Sequence, residues 1–294
     1  MSDTYEFIDG LKYAYPIVKM CDWLEVSRSG FYEWRGRPAS ATAERRSQLK
    51  VTIRRIFDDE DQTYGYRRIH AELARQGVEA GPELVRGLMR EMGLVACQPR
   101  PRRHHLTRAG QVPHPLPDLL GRDYDTTAPG QKLVGDITYI DTWEGWLYLA
   151  TVIDCHTRMV IGYAMGDDYK TPLITTAIER AAANMDLPEG AVFHSDRGSN
   201  YTSQEFADAL GRLNILQSVG RTGICFDNAM AESFFGVLKT ERVHRTQYPT
   251  RKHARRDIAR YIEFRYNRRR IHSALGYRTP QEVLDGFIDR QIAA

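Results

Sequence analysis

Apolar residues near the start of the chain recur at helical spacing. Between positions 17 and 24 they follow the i, i+3, i+4, i+7 pattern of one helix face, and Ser27 is placed to cap a second helix over 28–34. Two short helices joined by a tight break predict a helix-turn-helix unit, with Arg28 and Tyr32 on the second helix as candidate DNA contacts. A plain pair of packed helices is the alternative.

Two further stretches continue the helical pattern. Residues 44–57 predict a basic helix, and residues 64–95 predict a second helix pair. Arg67, Arg68 and Arg86 lie off the apolar faces of that pair, so we expect them to be exposed and to contact nucleic acid. Two such units in tandem favour nucleic-acid binding over an unrelated helical bundle.

Residues 99–130 interrupt the regular pattern. Six of the 13 prolines fall here, and proline excludes regular helix and sheet because it lacks the backbone donor and has a fixed φ. Arg102 and Arg103 belong to a cluster of basic residues in the first half, which could follow a phosphate backbone. We expect an extended, basic linker.

From Leu133 onward the apolar period becomes that of strands. Residues 133–141, 147–154 and 158–165 predict an antiparallel meander. The elements expected after the meander are a helix (171–185), a strand (191–193), a helix (203–213), a strand (215–219) and a long helix (228–245). This order predicts an α/β fold, in which a mixed five-stranded sheet is covered by helices on both faces.

The pattern divides the chain into five segments. They are a helix-turn-helix with the basic helix (1–60), a second helix-turn-helix (61–98), the linker (99–130), the α/β domain (131–246) and a basic helical C-terminal region (247–294).

The last segment contains an arginine-rich run that includes Arg268, Arg269 and Arg270. These side chains form either a solvated helix face or a phosphate clamp, and the charge of the segment favours the clamp.

The net charge of +3 hides a strong asymmetry. Residues 1–108 contain 19 Lys and Arg against 15 Asp and Glu, residues 109–240 contain 9 against 17, and residues 241–294 contain 13 against 6. Basic ends predict a polyanionic partner, which an acidic middle would repel unless cations intervene. A metal-dependent enzyme acting on nucleic acid has this pattern, and solvated surface charge is the alternative.

Composition argues against several classes of protein. The chain is 42% hydrophobic and 27% charged, and no apolar run approaches the ~20 residues that span a bilayer. The four cysteines have no C-x-x-C spacing, which argues against a disulfide framework or a cysteine-rich zinc site. Residues 1–10 lack the apolar core of a signal peptide. We expect a cytoplasmic protein with no membrane partner.

Three carboxylates occupy positions that a sheet-based active site would use. Asp136 lies inside the first strand, Asp196 ends the fourth strand, and Glu232 lies off the apolar face of the long helix. A charge within a central strand is costly unless it is paired or bound to a metal. Asn228 and Lys239 share the side of the helix that carries Glu232, so both are candidate DNA contacts, and Lys239 could meet a phosphate near the carboxylates.

Each carboxylate alone is better explained as a surface or capping residue. Three that converge could hold two Mg²⁺ ions about 3.5–4 Å apart, because hard divalent cations prefer oxygen ligands. The sequence therefore predicts a site for phosphoryl-transfer chemistry if the first and fourth strands are neighbours.

The motifs around these carboxylates resemble those of the DDE transposases. Asp136 lies in Gly-Asp-Ile-Thr-Tyr-Ile, Asp196 in His-Ser-Asp-Arg-Gly-Ser-Asn-Tyr, and Glu232 in Asp-Asn-Ala-Met-Ala-Glu-Ser-Phe-Phe. Thirty-five residues separate Asp196 from Glu232, and Lys239 matches the family's lysine seven residues after the glutamate. More narrowly, the chain is similar to the second-frame (OrfB) transposases of bacterial insertion sequences. Residues 64–69 resemble the start of that family's second helix-turn-helix, and residues 269–280 resemble its C-terminal signature.

The resemblance implies a ribonuclease-H-like core in which the three carboxylates bind two Mg²⁺ or Mn²⁺ ions. It implies cleavage at terminal inverted repeats and attack of the freed 3′-hydroxyl on target DNA. It also implies a homo-oligomer on paired ends, an upstream-frame partner protein and a nucleoid-associated location in a bacterial cell. A nuclease that cuts without joining, and a DNA-binding protein with an inactive core, are the alternatives.

Overall fold

The computed structural model describes residues 2–38, 40–97, 116–220 and 228–293. Its first helical unit consists of α1 (Ser2–Gly10), α2 (Ile17–Trp23) and α3 (Arg28–Gly36) around a small core of aromatic and aliphatic side chains. The Ser27 hydroxyl accepts a hydrogen bond from the backbone N–H of Gly30, which confirms the predicted cap of α3. The sequence pattern did not predict α1.

The second helical unit consists of α4 (Ala41–Asp59), α5 (Tyr66–Arg75) and α6 (Pro82–Glu91). The apolar face of α4, including Leu49 and Ile53, packs into the same buried cluster as α5 and α6. The packing therefore does not support the predicted boundary at residue 60, because α4 shares its core with the helices that follow it.

The central sheet consists of β1 (Lys132–Ile140), β2 (Leu147–Asp154), β3 (Val160–Gly166), β4 (Val192–Ser195) and β5 (Leu216–Val219). The strand order is β3-β2-β1-β4-β5. β2 is antiparallel to both β1 and β3, and β4 is parallel to both β1 and β5. This arrangement confirms the predicted mixed five-stranded sheet and the adjacency of the first and fourth strands.

Helices cover both faces of the sheet, as expected from the order of the elements. One face packs against α7 (Thr171–Asn184) and α8 (Gln204–Arg212). The other packs against α9 (Ala229–Glu241), α10 (Arg251–Arg260) and a π-helical stretch (Tyr261–Tyr266). α9 packs on this second face and contacts β1, the strand that carries Asp136.

The C-terminal region packs into the core instead of forming a separate basic arm. Ile258, Ile262 and Tyr266 belong to the same buried cluster as the apolar face of α9. The chain then leads into α11 (Pro280–Ile292), whose first turn has a capping box formed by Thr279. The predicted division at residue 247 therefore does not separate two independent cores.

Two buried ion pairs join the C-terminal region to the rest of the molecule. Arg265 Nη1 lies 2.6 Å from Glu60 Oε2 at the end of α4, and Arg270 Nη2 lies 2.8 Å from Glu241 Oε1 at the end of α9. The C-terminal region thus connects the second helical unit to the sheet domain.

No helix in the described ranges is both long and apolar enough to cross a membrane. Cys21, Cys97 and Cys155 are free thiols, and Cys225 lies outside the described residues.

Candidate active site

The parallel pairing of β1 with β4 brings Asp136 alongside Asp196. The register pairs Val134 with His194, so two residues farther along the same register Asp136 meets Asp196, directly after the end of β4. Side chains alternate along a strand, so Asp136 faces the same side as Val134. Val134 packs in the cluster beneath α9, and Asp136 therefore faces the helix that carries Glu232.

The surroundings of Asp136, which include the charges of the other two carboxylates, raise its pKa. Burial raises the pKa of Asp136 to about 7, and the negative charges of Asp196 and Glu232 contribute to this increase. A hydrogen bond of 2.7 Å from the backbone N–H of Ile137 and the charge of Lys239 lower it in part. The site therefore has more negative charge than the protein's own groups compensate.

Asp196 stands at the exposed edge of this corner. Its Oδ1 accepts a hydrogen bond of 3.0 Å from the backbone N–H of Gly198, the residue that turns the chain away from the sheet. The phenol of Tyr201 is buried below, and its pKa is raised by burial and then by the charges of Asp136 and Asp196. The two aspartates thus share one site, with the buried ring of Tyr201 beneath it.

Asn228 connects the start of α9 to the catalytic strand. Its Nδ2 donates a hydrogen bond of 3.1 Å to the backbone carbonyl of Gly135, the residue before Asp136. The side chain is buried, and its Oδ1 has no hydrogen-bond partner within the described part of the chain. The structure therefore does not support the predicted DNA contact by Asn228, because its amide is turned into the protein and orients α9.

Gly135 is a requirement of the site that sequence reasoning missed. A Cβ at this position would lie 2.3 Å from Cζ of Phe193 on β4. Only glycine lets the two strands and the ring of Phe193 pack this closely. A glycine inside a predicted strand is the sequence feature that could have indicated this close approach. The ring of Phe193 packs in turn against Tyr201 and Phe206.

Lys239 lies on α9 next to the carboxylates. Burial lowers the pKa of Lys239, and the charge of Asp136 raises it in part. Its Nζ is 4.9 Å from the ring centroid of Tyr139, which is exposed and packs edge-on against Trp146. A cation and two exposed aromatic rings therefore border the site on this side.

The donor set suits a hard divalent cation, although the carboxylates do not form a closed ligand shell. Within residues 2–38, 40–97, 116–220 and 228–293, no group of three His, Cys, Asp or Glu side chains is placed to hold a metal as it stands. The register of β1 with β4 nevertheless places Asp136 beside Asp196, on the face of the sheet that packs against the helix carrying Glu232. Three like charges repel one another without a cation, and active sites are commonly looser before their ligands bind. Carboxylate oxygens and uncompensated negative charge fit Mg²⁺ or Mn²⁺.

Four candidate DNA contacts on the helical units are exposed. Arg28 and Tyr32 lie on the outer face of α3, and Tyr32 is 51% exposed. Arg67 and Arg86 lie close to the Tyr66 ring, with guanidinium carbons 5.6 and 5.8 Å from its centroid. Both surfaces can present cations and aromatic rings to a nucleic acid.

Arg68 and Arg270 occupy different environments from those predicted. Arg68 is only partly exposed and donates a hydrogen bond to the backbone carbonyl of Ile271. Arg270 is 3% exposed and is paired with Glu241. The structure therefore does not support an open phosphate clamp at Arg270, because the partner of this arginine is a buried carboxylate.

The remaining candidates of the arginine-rich run lie at the surface. Arg268 is exposed beside the ring of Phe264, and Arg269 is exposed while its Nε donates to Glu60. Arg102 and Arg103 lie outside the described residues. A phosphate contact by any of these four arginines stays a prediction.

Family models match most of the chain. Residues 126–225 and 213–280 match two models described as integrase core domains, and residues 44–103 match an HTH-like domain. The second of these ranges joins α9 to the C-terminal region, in agreement with their shared core. The third contains nearly all of α4, in agreement with its packing against α5 and α6.

Curated relatives match over nearly their full length. The uncharacterized 31 kDa protein of insertion element IS600 from Shigella sonnei is 37% identical over 275 residues, which is 94% of this chain and 100% of that protein. Transposase InsF for insertion sequence IS3A from Escherichia coli strain K12 is 36% identical over 283 residues, which is 95% of this chain and 97% of that protein.

Solved structures give weaker likenesses. A simian T-cell lymphotropic virus intasome in complex with PP2A regulatory subunit B56 gamma has a TM-score of 0.45 and 17% identity, covering 73% of this chain and 70% of that one. The HTLV-2 integrase catalytic core in complex with magnesium has a TM-score of 0.42 and 16% identity, covering 54% of this chain and 98% of that one.

Proposed function

Because this chain belongs to the insertion-sequence transposases that carry an integrase core domain, we propose that it cuts DNA at the ends of an insertion sequence and joins the freed 3′-hydroxyl to target DNA. The observation that carries the proposal is the parallel register of β1 with β4, which sets Asp136 beside Asp196 on the face of the sheet that packs against α9, the helix carrying Glu232. This is the carboxylate set that a DDE-type polynucleotidyl transferase requires.

Asp136, Asp196 and Glu232 would together hold two Mg²⁺ ions, for which Mn²⁺ could substitute. When bound, such ions lower the pKa of an attacking water or hydroxyl and neutralise the charge that develops on the phosphate. Below about pH 7 a proton on Asp136 competes with the cation for the carboxylate. The clustered negative charge of the site is unfavourable for folding in the absence of a cation, and it makes the site selective for divalent cations.

Other side chains would position the substrate. Lys239 lies close enough to Asp136 to affect its pKa, and its ammonium can hold a phosphate oxygen at the edge of the site. Asn228 fixes the start of α9 to β1, so that Glu232 keeps its place when the DNA binds. Neither side chain needs to exchange a proton with the substrate.

DNA recognition is assigned to the exposed basic surfaces. Arg28 and Tyr32 on α3, and Arg67 and Arg86 around Tyr66, would bind terminal inverted repeats. Cutting and joining two ends of one element requires two active sites, which supports a homo-oligomer on paired ends. An upstream-frame partner protein and a nucleoid-associated location complete the proposal.

A joining assay separates this function from the two alternatives. The substrates are a labelled terminal-repeat duplex and a supercoiled target plasmid, incubated with the protein and Mg²⁺. We expect Asp136→Asn, Asp196→Asn and Glu232→Gln each to lower the joining rate on the order of 1,000-fold or more, with little change in DNA affinity. Asp208→Asn, which changes a carboxylate on α8, is the matched control.

Three outcomes of this assay would contradict the proposal. Joining retained by any of the three site variants would remove that carboxylate from the site. Wild-type protein that cuts the repeat but forms no joined product would be a nuclease. Wild-type protein that binds the repeat and neither cuts nor joins would have an inactive core.

A further inference from the structure

A basic cleft of about 330 Å³ lies beside α9, apart from the three carboxylates. It is lined by Arg68 from α5, Arg158 from the turn between β2 and β3, and Arg270 from the segment after the π-helical stretch. No carboxylate of the described residues lines it. Its other polar lining groups include the imidazole of His272 and the hydroxyls of Ser233 and Ser273. Three separate parts of the chain thus direct arginines into one cleft.

The positive charge of this basic cleft is only partly compensated. Arg270 is paired with the buried Glu241 at 2.8 Å, and Arg68 Nη1 lies 4.0 Å from the same carboxylate. Arg158 forms no hydrogen bond or ion pair through its guanidinium with any residue of the described ranges. Arg270 and Arg68 therefore share one carboxylate, and among the described residues the uncompensated charge of the cleft belongs mainly to Arg158.

The backbone holds Arg158 in an unfavourable conformation. Its φ is +62°, in the left-handed region that costs a non-glycine residue about 1 kcal/mol or more. The turn is fixed by the buried Asp154, which accepts hydrogen bonds from the backbone N–H and the hydroxyl of Thr157. A rigid, strained turn that directs an unpaired cation into a cleft is a feature of a binding site.

His272 is an independent indication that the cleft suits an anion. Its Nε2 is buried and has no hydrogen-bond partner within the described part of the chain. Burial, followed by the charges of Arg270, Arg68 and Arg158, lowers the pKa of His272 to about 3. An anion in the cleft would counter these three charges and so favour the protonated imidazole, whose Nε2–H can donate a hydrogen bond to it.

We propose that this basic cleft binds one backbone phosphate of the DNA substrate, with Arg158 as the principal ligand. The inference rests on the proposed function, since it requires DNA to pass the catalytic helix. Ser233 in the cleft wall follows Glu232 on α9, and the first turn of this 13-residue helix also favours negative charge. A phosphate held here fixes the DNA relative to the helix that carries Glu232.

The test measures how the affinity for terminal-repeat DNA depends on salt, by fluorescence anisotropy without divalent metal. Loss of one phosphate contact lowers the slope of log affinity against log salt by about 1. We expect Arg158→Gln to show this decrease, with affinity about 10-fold weaker at about 0.1 M salt. Arg212→Gln, which changes an exposed arginine on α8, should leave both quantities unchanged.

A second variant keeps the test decisive if Arg158→Gln does not fold. Ser233→Asp places a carboxylate at the exposed wall of the basic cleft, where it should be tolerated and should weaken DNA binding. A set of terminal-repeat duplexes, each with one phosphate replaced by a neutral methylphosphonate, locates the contact. At one position the replacement should weaken binding by the wild type and should not weaken binding by Arg158→Gln any further. That position identifies the phosphate bound in the cleft.

The outcomes separate this inference from the proposed function. Unchanged slope and affinity in both Arg158→Gln and Ser233→Asp, while the wild type still joins DNA, would overturn the inference alone. Inorganic phosphate that shifts the His272 NMR signals without any effect of Arg158→Gln on DNA binding would also overturn it, because the cleft would then be a site for small anions. Failure of the wild type to join DNA would refute the proposed function instead.

Discussion

Asp136 shares a corner of the sheet with two other carboxylates, and its protonation links the chemistry of the site to the stability of the fold. Its folded pKa of about 7 lies above the ordinary value of 3.8. The folded protein therefore keeps a proton that the unfolded chain releases, so the site becomes increasingly destabilising as pH rises from about 4 to about 7. This instability follows from burying Asp136 near two other carboxylates.

The first prediction concerns Asp136→Asn. Without metal, we expect this variant to be more stable than the wild type by about 2 kcal/mol at about pH 8, and by much less at about pH 4, because the charge that it removes is present only at the higher pH. Urea unfolding in the presence of EDTA at both pH values measures the two differences. An equal difference at both pH values would contradict the raised pKa.

The second prediction concerns Asn228, which acts by positioning α9. Asn228→Ala removes the hydrogen bond to Gly135, so we expect the joining rate at saturating DNA to fall about 10-fold or more while DNA affinity is unchanged. Asn184→Ala removes an equivalent amide-to-carbonyl bond, to Ile161 on the opposite face, and should leave the joining rate unchanged. Weakened DNA binding in Asn228→Ala, with a normal rate, would restore the role of a DNA contact.

At the scale of helices and strands, local signals predicted most of the architecture. The predicted strand 147–154 matches β2, and the predicted cap Ser27 accepts the expected backbone N–H bond. Such signals are local because each depends on residues within one turn or one pleat. The extent of β4 was less predictable, since its last residues, His194 and Ser195, are polar side chains buried by tertiary packing.

The third prediction tests how closely α7 packs on the sheet. A Cβ at Gly162 of β3 would lie 2.3 Å from the backbone carbonyl oxygen of Ala177 on α7. Gly162→Ala must therefore displace the helix, and we expect a loss of about 3 kcal/mol in the free energy of unfolding. Gly211→Ala, within α8 and with open space around it, should instead be neutral or slightly stabilising. Equal stability of the two variants would show that α7 adjusts freely.

At the scale of the whole molecule, some arginines of the C-terminal region, whose charge predicted DNA contacts, instead form ion pairs that join separate segments of the chain. Arg270 and Glu241 are 29 residues apart, and Arg265 and Glu60 are 205 apart. No local pattern links residues at such separations. The basic character of the C-terminal region was therefore predictable, whereas the division between arginines buried in ion pairs and those that face the solvent, such as Arg268, depends on tertiary packing.

The fourth prediction tests the ion pair between α4 and the C-terminal region. Glu60→Gln leaves Arg265 buried without its counter-ion, so we expect a loss of about 3 kcal/mol in the free energy of unfolding. The double variant Glu60→Gln/Arg265→Met should recover much of this loss, because no uncompensated charge remains. Glu91→Gln, which removes an exposed pair with Arg46 and Lys50, should have no measurable effect on chemical denaturation. Equal effects of Glu60→Gln and Glu91→Gln would refute the buried pair.

The central claim is that Asp136, Asp196 and Glu232 form a single cation site on the molecule. Mn²⁺ binding measured by electron paramagnetic resonance, without DNA, tests it most directly. We expect the wild type and the control Asp208→Asn to bind Mn²⁺ alike, more tightly at about pH 8 than at about pH 6 because of the Asp136 proton. Each of Asp136→Asn, Asp196→Asn and Glu232→Gln should weaken binding at least about 10-fold. Undiminished Mn²⁺ binding in any one of the three variants would contradict the claim.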